Sequence, residues 1–249
     1  MIASSGLSRR FGSRTVVDGI SFSLPTGSIC ALLGPNGAGK STTLNMLSGL
    51  LRPNSGTVTL AGVTVRYEED FSPLKQQIGV LPEGLGLFDQ LTVEEHLQLC
   101  GPIYGLSREE TQTRADQLVH LLGLEAGRTT YASHCSHGMR KKTALALALL
   151  HNPRILLLDE PFEGVEPVAA EVIRELFLML SQRGVTILFT SHILSMAERL
   201  ATHCILIRNG QIAWNSPKEE LPSTLGEMYF SLVETPPLED LPWLGSRSS

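Results

Sequence analysis

The chain has 249 residues, 42% of them hydrophobic and 6% aromatic, with a formal net charge of −5 and a pI near 5.8. That length suits one large domain with a substantial core, and the acidic balance gives no basic field for nucleic acid. Four scattered cysteines (Cys30, Cys100, Cys135, Cys204) form no C-x-x-C pair, so neither a disulfide framework nor a zinc site is expected and a reducing cytosol fits.

In chain order, 16–24, Ile29–Leu33, 57–60 and 77–81 read as strands, with Gly6, Gly12, Gly27, Gly56 and Gly62 as turns between them. Gly34-Pro35-Asn36-Gly37-Ala38-Gly39-Lys40-Ser41 follows the second of these strands and opens a helix over 41–50. It satisfies the phosphate-loop pattern G-x-x-x-x-G-K-[ST] at each fixed position. Its glycines let the backbone curl and aim N–H groups at an anion, Lys40 adds a mobile positive charge, and Ser41 offers a hydroxyl for a magnesium ion. The chain is therefore expected to bind a nucleoside triphosphate.

Helical spacing appears at 93–104 and 107–122, the latter with a Ser107/Glu110 capping box and Gly123 as a stop. A third helix follows Ser136, in which Lys141 and Lys142 read as a solvated face. The apolar run 144–150 is the longest in the chain and far short of the roughly 18 residues that span a bilayer. Met1 to Arg10 lacks the apolar block of a signal peptide. Any membrane role is thus expected to come through a partner.

Ile155-Leu156-Leu157-Leu158 is a short strand running into Asp159-Glu160. Asp159 falls at the strand's C-terminal edge, where open α/β sheets bind ligands, and can hold magnesium. Glu160 is free to orient or deprotonate a water. A helix over Pro167–Gln182, a strand over 185–190 and a helix from Ile193 come next. Asn209-Gly210 then marks a hairpin between 204–208 and 211–214, and 235–249, rich in Pro and Ser, is expected to be poorly ordered.

Cys135-Ser136-His137-Gly138-Met139, ahead of an Ala/Leu-rich helix and the acidic strand, resembles the signature of the ATP-binding cassette (ABC) family, Leu-Ser-Gly-Gly-Gln. It matches at Ser136 and Gly138. The resemblance runs from about Ile2 to Val233 and implies an α/β phosphate-loop core with an antiparallel β-subdomain and a helical subdomain inserted at about 84–151. It implies Phe11 as the aromatic that stacks on adenine, ATP contacts at Val17 and from Gly34 through Thr42, and Glu83 where the family has a glutamine near magnesium. Lys40, Glu160 and His192 would carry the hydrolysis, with Ser41, Asp159 and Glu83 around Mg2+. Ser136, His137 and Gly138 would face ATP held by a second ATPase subunit, a copy or a paralogue, and Glu166 stands where an aspartate would touch that subunit.

The segments 81–88 and 91–97 are most similar to exporter ATPases paired with a separate six-helix permease. The implied place is the cytoplasmic face of the membrane, peripheral through that permease. The alternative implied is a soluble or regulatory ABC-type ATPase with weak hydrolysis. No Asn-Lys-x-Asp motif supports a GTPase.

Overall fold

The structure is a computed structural model that describes residues 1–65 and 72–233. The first part of the chain forms β1 (Ile2–Phe11), β2 (Arg14–Leu24), β3 (Ile29–Leu33), α1 (Lys40–Leu47), β4 (Ser55–Leu60), β5 (Val63–Val65), α2 (Ser72–Lys75) and β6 (Ile78–Leu81). Next come α3 (Val93–Ile103), α4 (Arg108–Leu121) and α5 (His137–Leu150). The remainder is β7 (Ile155–Leu158), α6 (Pro167–Gln182), β8 (Thr186–Thr190), α7 (Leu194–Leu200), β9 (His203–Arg208), β10 (Gln211–Pro217) and α8 (Leu225–Leu232).

Two sheets result. The larger has the order β10-β9-β3-β8-β7-β6, parallel except for the β9–β10 hairpin. Every residue of β3, β7 and β8 is buried, as expected of strands covered on both faces. The smaller sheet is antiparallel, β2-β1-β4-β5. One apolar core, including Leu32, Met46, Leu47, Leu157 and Leu188, fills the space between the sheets around α1. A second runs from the other face of the parallel sheet into α3, α4 and α5, joining Phe189 and Leu156 to Leu145, Leu97 and Val119. The α/β core, the antiparallel sheet and the helical segment between β6 and β7 are thus all present.

Two of the glycines read as turns lie inside strands instead. Gly6, at φ +59, is an irregularity within β1, where the register with β2 shifts between Ser4 and Leu7. Gly56 lies in β4, and a Cβ there would stand 2.5 Å from the Gly6 carbonyl, so bare backbones meet at that crossing. β1 itself was not anticipated: it carries Ser or Arg at half of its positions, yet it is an inner strand that pairs with both β2 and β4. α8 was not anticipated either, although Thr224 and Glu227 close a capping box on it. The expected tail at 235–249 lies outside the described residues. Among the described residues no helix is long and apolar enough to cross a membrane.

The helical segment is tied down at its ends. Capping boxes at Thr92/Glu95 and Ser107/Glu110 start α3 and α4. His96 is a packing histidine: its Nδ1 faces the Thr92 carbonyl at 2.7 Å and its Nε2 accepts from the Phe88 N–H at 2.9 Å. At the other end His151, the C-cap of α5, stacks on Tyr104 at 3.8 Å between centroids and donates through Nε2 to the Ile78 carbonyl at 3.0 Å.

Candidate active site

The phosphate loop leaves β3 at the carboxyl edge of the parallel sheet, and its shape depends on glycine. A Cβ on Gly34 would stand 2.2 Å from the Ile207 carbonyl, and one on Gly39, at φ +107, 2.8 Å from the Val16 carbonyl. Behind the loop lies the β9–β10 turn at Asn209-Gly210, with φ of 51° and 79° as a tight hairpin requires. Gly210 donates its N–H to the Ala38 carbonyl at 3.1 Å and accepts from the Asp18 N–H at 2.8 Å. Two distant segments, β2 and the β9–β10 hairpin, therefore fix the loop.

Helix α1 begins at Lys40 with Gly39 as N-cap and no side chain capping it, so its first N–H groups remain directed at the loop's mouth. The Lys40 ammonium donates to the Gly34 carbonyl at 2.8 Å and the Pro35 carbonyl at 3.2 Å. Burial lowers its pKa from the ordinary lysine value, while the carboxylates of Glu160 and Asp159 nearby oppose that shift.

The end of β7 supplies the acids, and the end of β8 supplies their partners. Asp159 follows β7, is 4% exposed, and accepts from the Thr190 hydroxyl at 2.5 Å; that hydroxyl also accepts the Glu160 N–H at 2.9 Å. Thr190 at the end of β8 thus locks the neighbouring β7 terminus. Glu160 takes a left-handed backbone, φ +48, which costs a non-glycine residue of order 1–3 kcal/mol. Its carboxylate oxygen Oε2 accepts both from the His192 N–H at 3.1 Å and from His192 Nδ1–H at 2.9 Å. With Nδ1 donating, a neutral His192 ring carries its lone pair on Nε2.

These pieces line one open cleft of about 860 Å3. It brings together Pro35, Asn36, Gly37, Gly39, Lys40, Ser41 and Thr42 with Glu83, His137, Asp159, Glu160 and His192. Gly34, Ala38, Ser136 and Gly138 lie behind or beside this lining. Ser136 is the N-cap of α5, accepting from the Met139 N–H at 3.2 Å. Gly138 is a close-packing position, where a Cβ would stand 2.6 Å from the Gly164 carbonyl. Glu166 is the N-cap of α6 and makes no side-chain cap.

Val17 is 0% exposed, in the core beneath the loop, and it is Val16 that lines the cleft. Successive strand residues point to opposite faces, so an expectation one position off lands in the core. Lys141 is not on a solvated face: it is 2% exposed and its ammonium lies 3.7 Å from Glu163, both at the cleft. The basic run concealed this, because only one residue in it falls on the inward side of α5. Phe11 is 47% exposed, outside the lining, at the end of β1. Tyr229 and Val233 complete the wall, and nothing in the sequence pattern ties them to the motifs.

The family model described as ABC transporter matches residues 17–163, more than half of the chain. The chain belongs to the ABC transporter family. Among its ABC relatives, the linearmycin resistance ATP-binding protein LnrL of Bacillus subtilis (strain 168) is 36% identical over 226 residues, 91% of this chain and 72% of that protein. The ABC transporter ATP-binding protein NatA of the same organism is 37% identical, over 89% of this chain and 91% of NatA. A solved ATP-binding subunit of an ABC transporter is 30% identical with a TM-score of 0.85, over 93% of this chain and 99% of the other. A dimeric ATP-binding cassette bound to ADP and Pi, 23% identical with a TM-score of 0.81 over 87% of this chain and 98% of its own, shares the fold.

Proposed function

We propose that this chain binds ATP with Mg2+ and hydrolyses it as the ATPase subunit of an ABC exporter. The observation that carries the reading is the Glu160–His192 pair, held at the ends of β7 and β8 in the same cleft as Lys40 and the phosphate loop. The loop N–H groups and the amino end of α1 bind phosphate oxygens, and Lys40 turns from its carbonyl partners to the terminal phosphates. Glu160 accepts the proton of the attacking water, and His192 fixes the carboxylate that does so.

Ser41, Asp159 and Glu83 are the residues to hold Mg2+. Among the described residues no three His, Cys, Asp or Glu side chains converge on a metal site. That fits an ion held by one or two carboxylates and a serine hydroxyl, with phosphates and waters completing its shell. When bound, such an ion neutralises charge developing on the phosphate oxygens.

In this reading residues 2–233 are one ATPase domain with its helical insertion at about 84–151. Ser136, His137 and Gly138 meet ATP held by a second subunit, and separate membrane permease subunits carry the motion to an exported substrate. The chain then sits peripherally on the cytoplasmic face of the membrane. ATP bound to both surfaces stabilises the closed pair, and hydrolysis loosens it. The name of NatA supports the transporter assignment, and the name of LnrL supports ATP binding.

The test compares wild type with Glu160→Gln in Mg-ATP. The variant is expected to keep ATP binding, lose turnover by at least about 100-fold, and double its molecular mass with ATP. A wild type that turns over no ATP, even with its membrane partner present, overturns the reading.

A further inference from the structure

Phe11 ends β1 just before the turn at Gly12, and its partner across the β1–β2 pairing is Arg14. The Arg14 Nη2 lies 3.9 Å from where a Cβ on Gly37 would stand. Although outside the cleft lining, Phe11 is therefore at the shoulder of the phosphate loop, with about half of its surface open. One face of its ring is already covered. The Arg9 guanidinium carbon lies over it, 4.6 Å from the centroid.

Arg9 is held in that place. Its Nη1 donates to the Arg52 carbonyl at 2.7 Å. The stretch carrying that carbonyl is itself stitched to β1, by the Asn54 N–H to the Ser8 carbonyl at 2.8 Å and the Arg10 N–H to Asn54 Oδ1 at 2.7 Å. Arg9 Nε is buried with no hydrogen-bond partner among the described residues. A buried donor left unmade is unfavourable, and the side chain could satisfy it by swinging into water. It stays against the ring instead, where a cation over an aromatic face is attracted by the ring quadrupole.

We infer that Arg9 is a positioning residue for base recognition: it occupies one face of Phe11, fixes the ring plane, and leaves the opposite face for the nucleotide base. The inference rests on the ATP reading above. Arg9 is not among the residues lining the cleft with the phosphate loop and Lys40, so its effect passes through the ring.

Isothermal titration of ATP and of inorganic tripolyphosphate against wild type, Arg9→Met, Arg9→Lys, Phe11→Ala and the Arg9→Met/Phe11→Ala double variant tests it. Arg9→Met is expected to weaken ATP about two- to five-fold and leave tripolyphosphate unchanged. Arg9→Lys, which keeps the cation, should recover most of the loss, and Arg9→Met should add nothing once Phe11 is gone. Equal weakening of both ligands, an effect that persists without Phe11, or unchanged ATP affinity in Arg9→Met overturns the inference while the ATP reading stands. A wild type that binds tripolyphosphate but gains nothing from the base overturns it as well. A wild type that binds neither ligand overturns the ATP reading, and this inference with it. Retained tripolyphosphate binding also certifies that each variant has folded.

Discussion

Individual glycines set the geometry of the site more strictly than its charged residues do. At Gly34 the obstacle to a side chain is the backbone carbonyl of Ile207, which cannot rotate away. Gly34→Ala is expected to destabilise the fold by about 1–3 kcal/mol, the range for overpacking, and to abolish nucleotide binding by pushing the loop off its floor. Urea denaturation and an ATP titration on the same preparation check both. The chemistry at this scale was largely legible in the sequence: Lys40, Asp159, Glu160 and His192 sit in short motifs, and the cleft gathers all four. Val16 and Lys141 were not legible. Which of two neighbouring valines faces a ligand depends on strand register. Whether a lysine in a basic run turns inward depends on where Glu163 lies in space.

Among the elements, one histidine bridges α5, the end of α3 and β6. His151 stacks on Tyr104 and donates to Ile78, and its Nδ1 is buried without a hydrogen-bond partner among the described residues. Burial lowers its pKa below the ordinary histidine value; the bond to Ile78 opposes that shift, and the nearby Arg114 charge adds to it. The unfolded chain then binds the extra proton first, so stability is full above the unfolded value, about 6.5, and is lost as pH falls below it. Thermal unfolding midpoints between pH 7.5 and 5.5 should fall more steeply for wild type than for His151→Phe. Identical slopes would remove this role.

Periodicity and caps made the elements from α3 to β10 readable, because long helices and fully apolar strands carry their own signal. β1 gave none. Its Ser and Arg residues say edge, and only pairing on both sides makes it central.

For the molecule as a whole, ligand binding and folding share one free energy. ATP at about 100 times its Kd should add about 2.7 kcal/mol of stability, which for a chain of this size raises the unfolding midpoint by about 5–10 °C. Calorimetry with and without ATP measures it. Chelating Mg2+ should remove much of the shift if Ser41 and Asp159 hold the ion, and a midpoint indifferent to ATP would contradict the site. The overall architecture was legible early, from the order of phosphate loop, helices and acidic strand. The full extent of the cleft was not, since Tyr229 and Val233 reach it from α8 and its C-cap, where the sequence carries a capping box but no nucleotide-binding motif.

The hairpin turn at Gly210 gives the site a place in time as well as in space. Its N–H supports the Ala38 carbonyl, and Ile207 forms the surface on which Gly34 rests. A chain emerging from the ribosome carries the entire phosphate-loop motif long before that support exists. During synthesis it therefore holds the letters of a nucleotide site without its shape, and ATP can act as a folding ligand only after β9 and β10 have closed behind the loop.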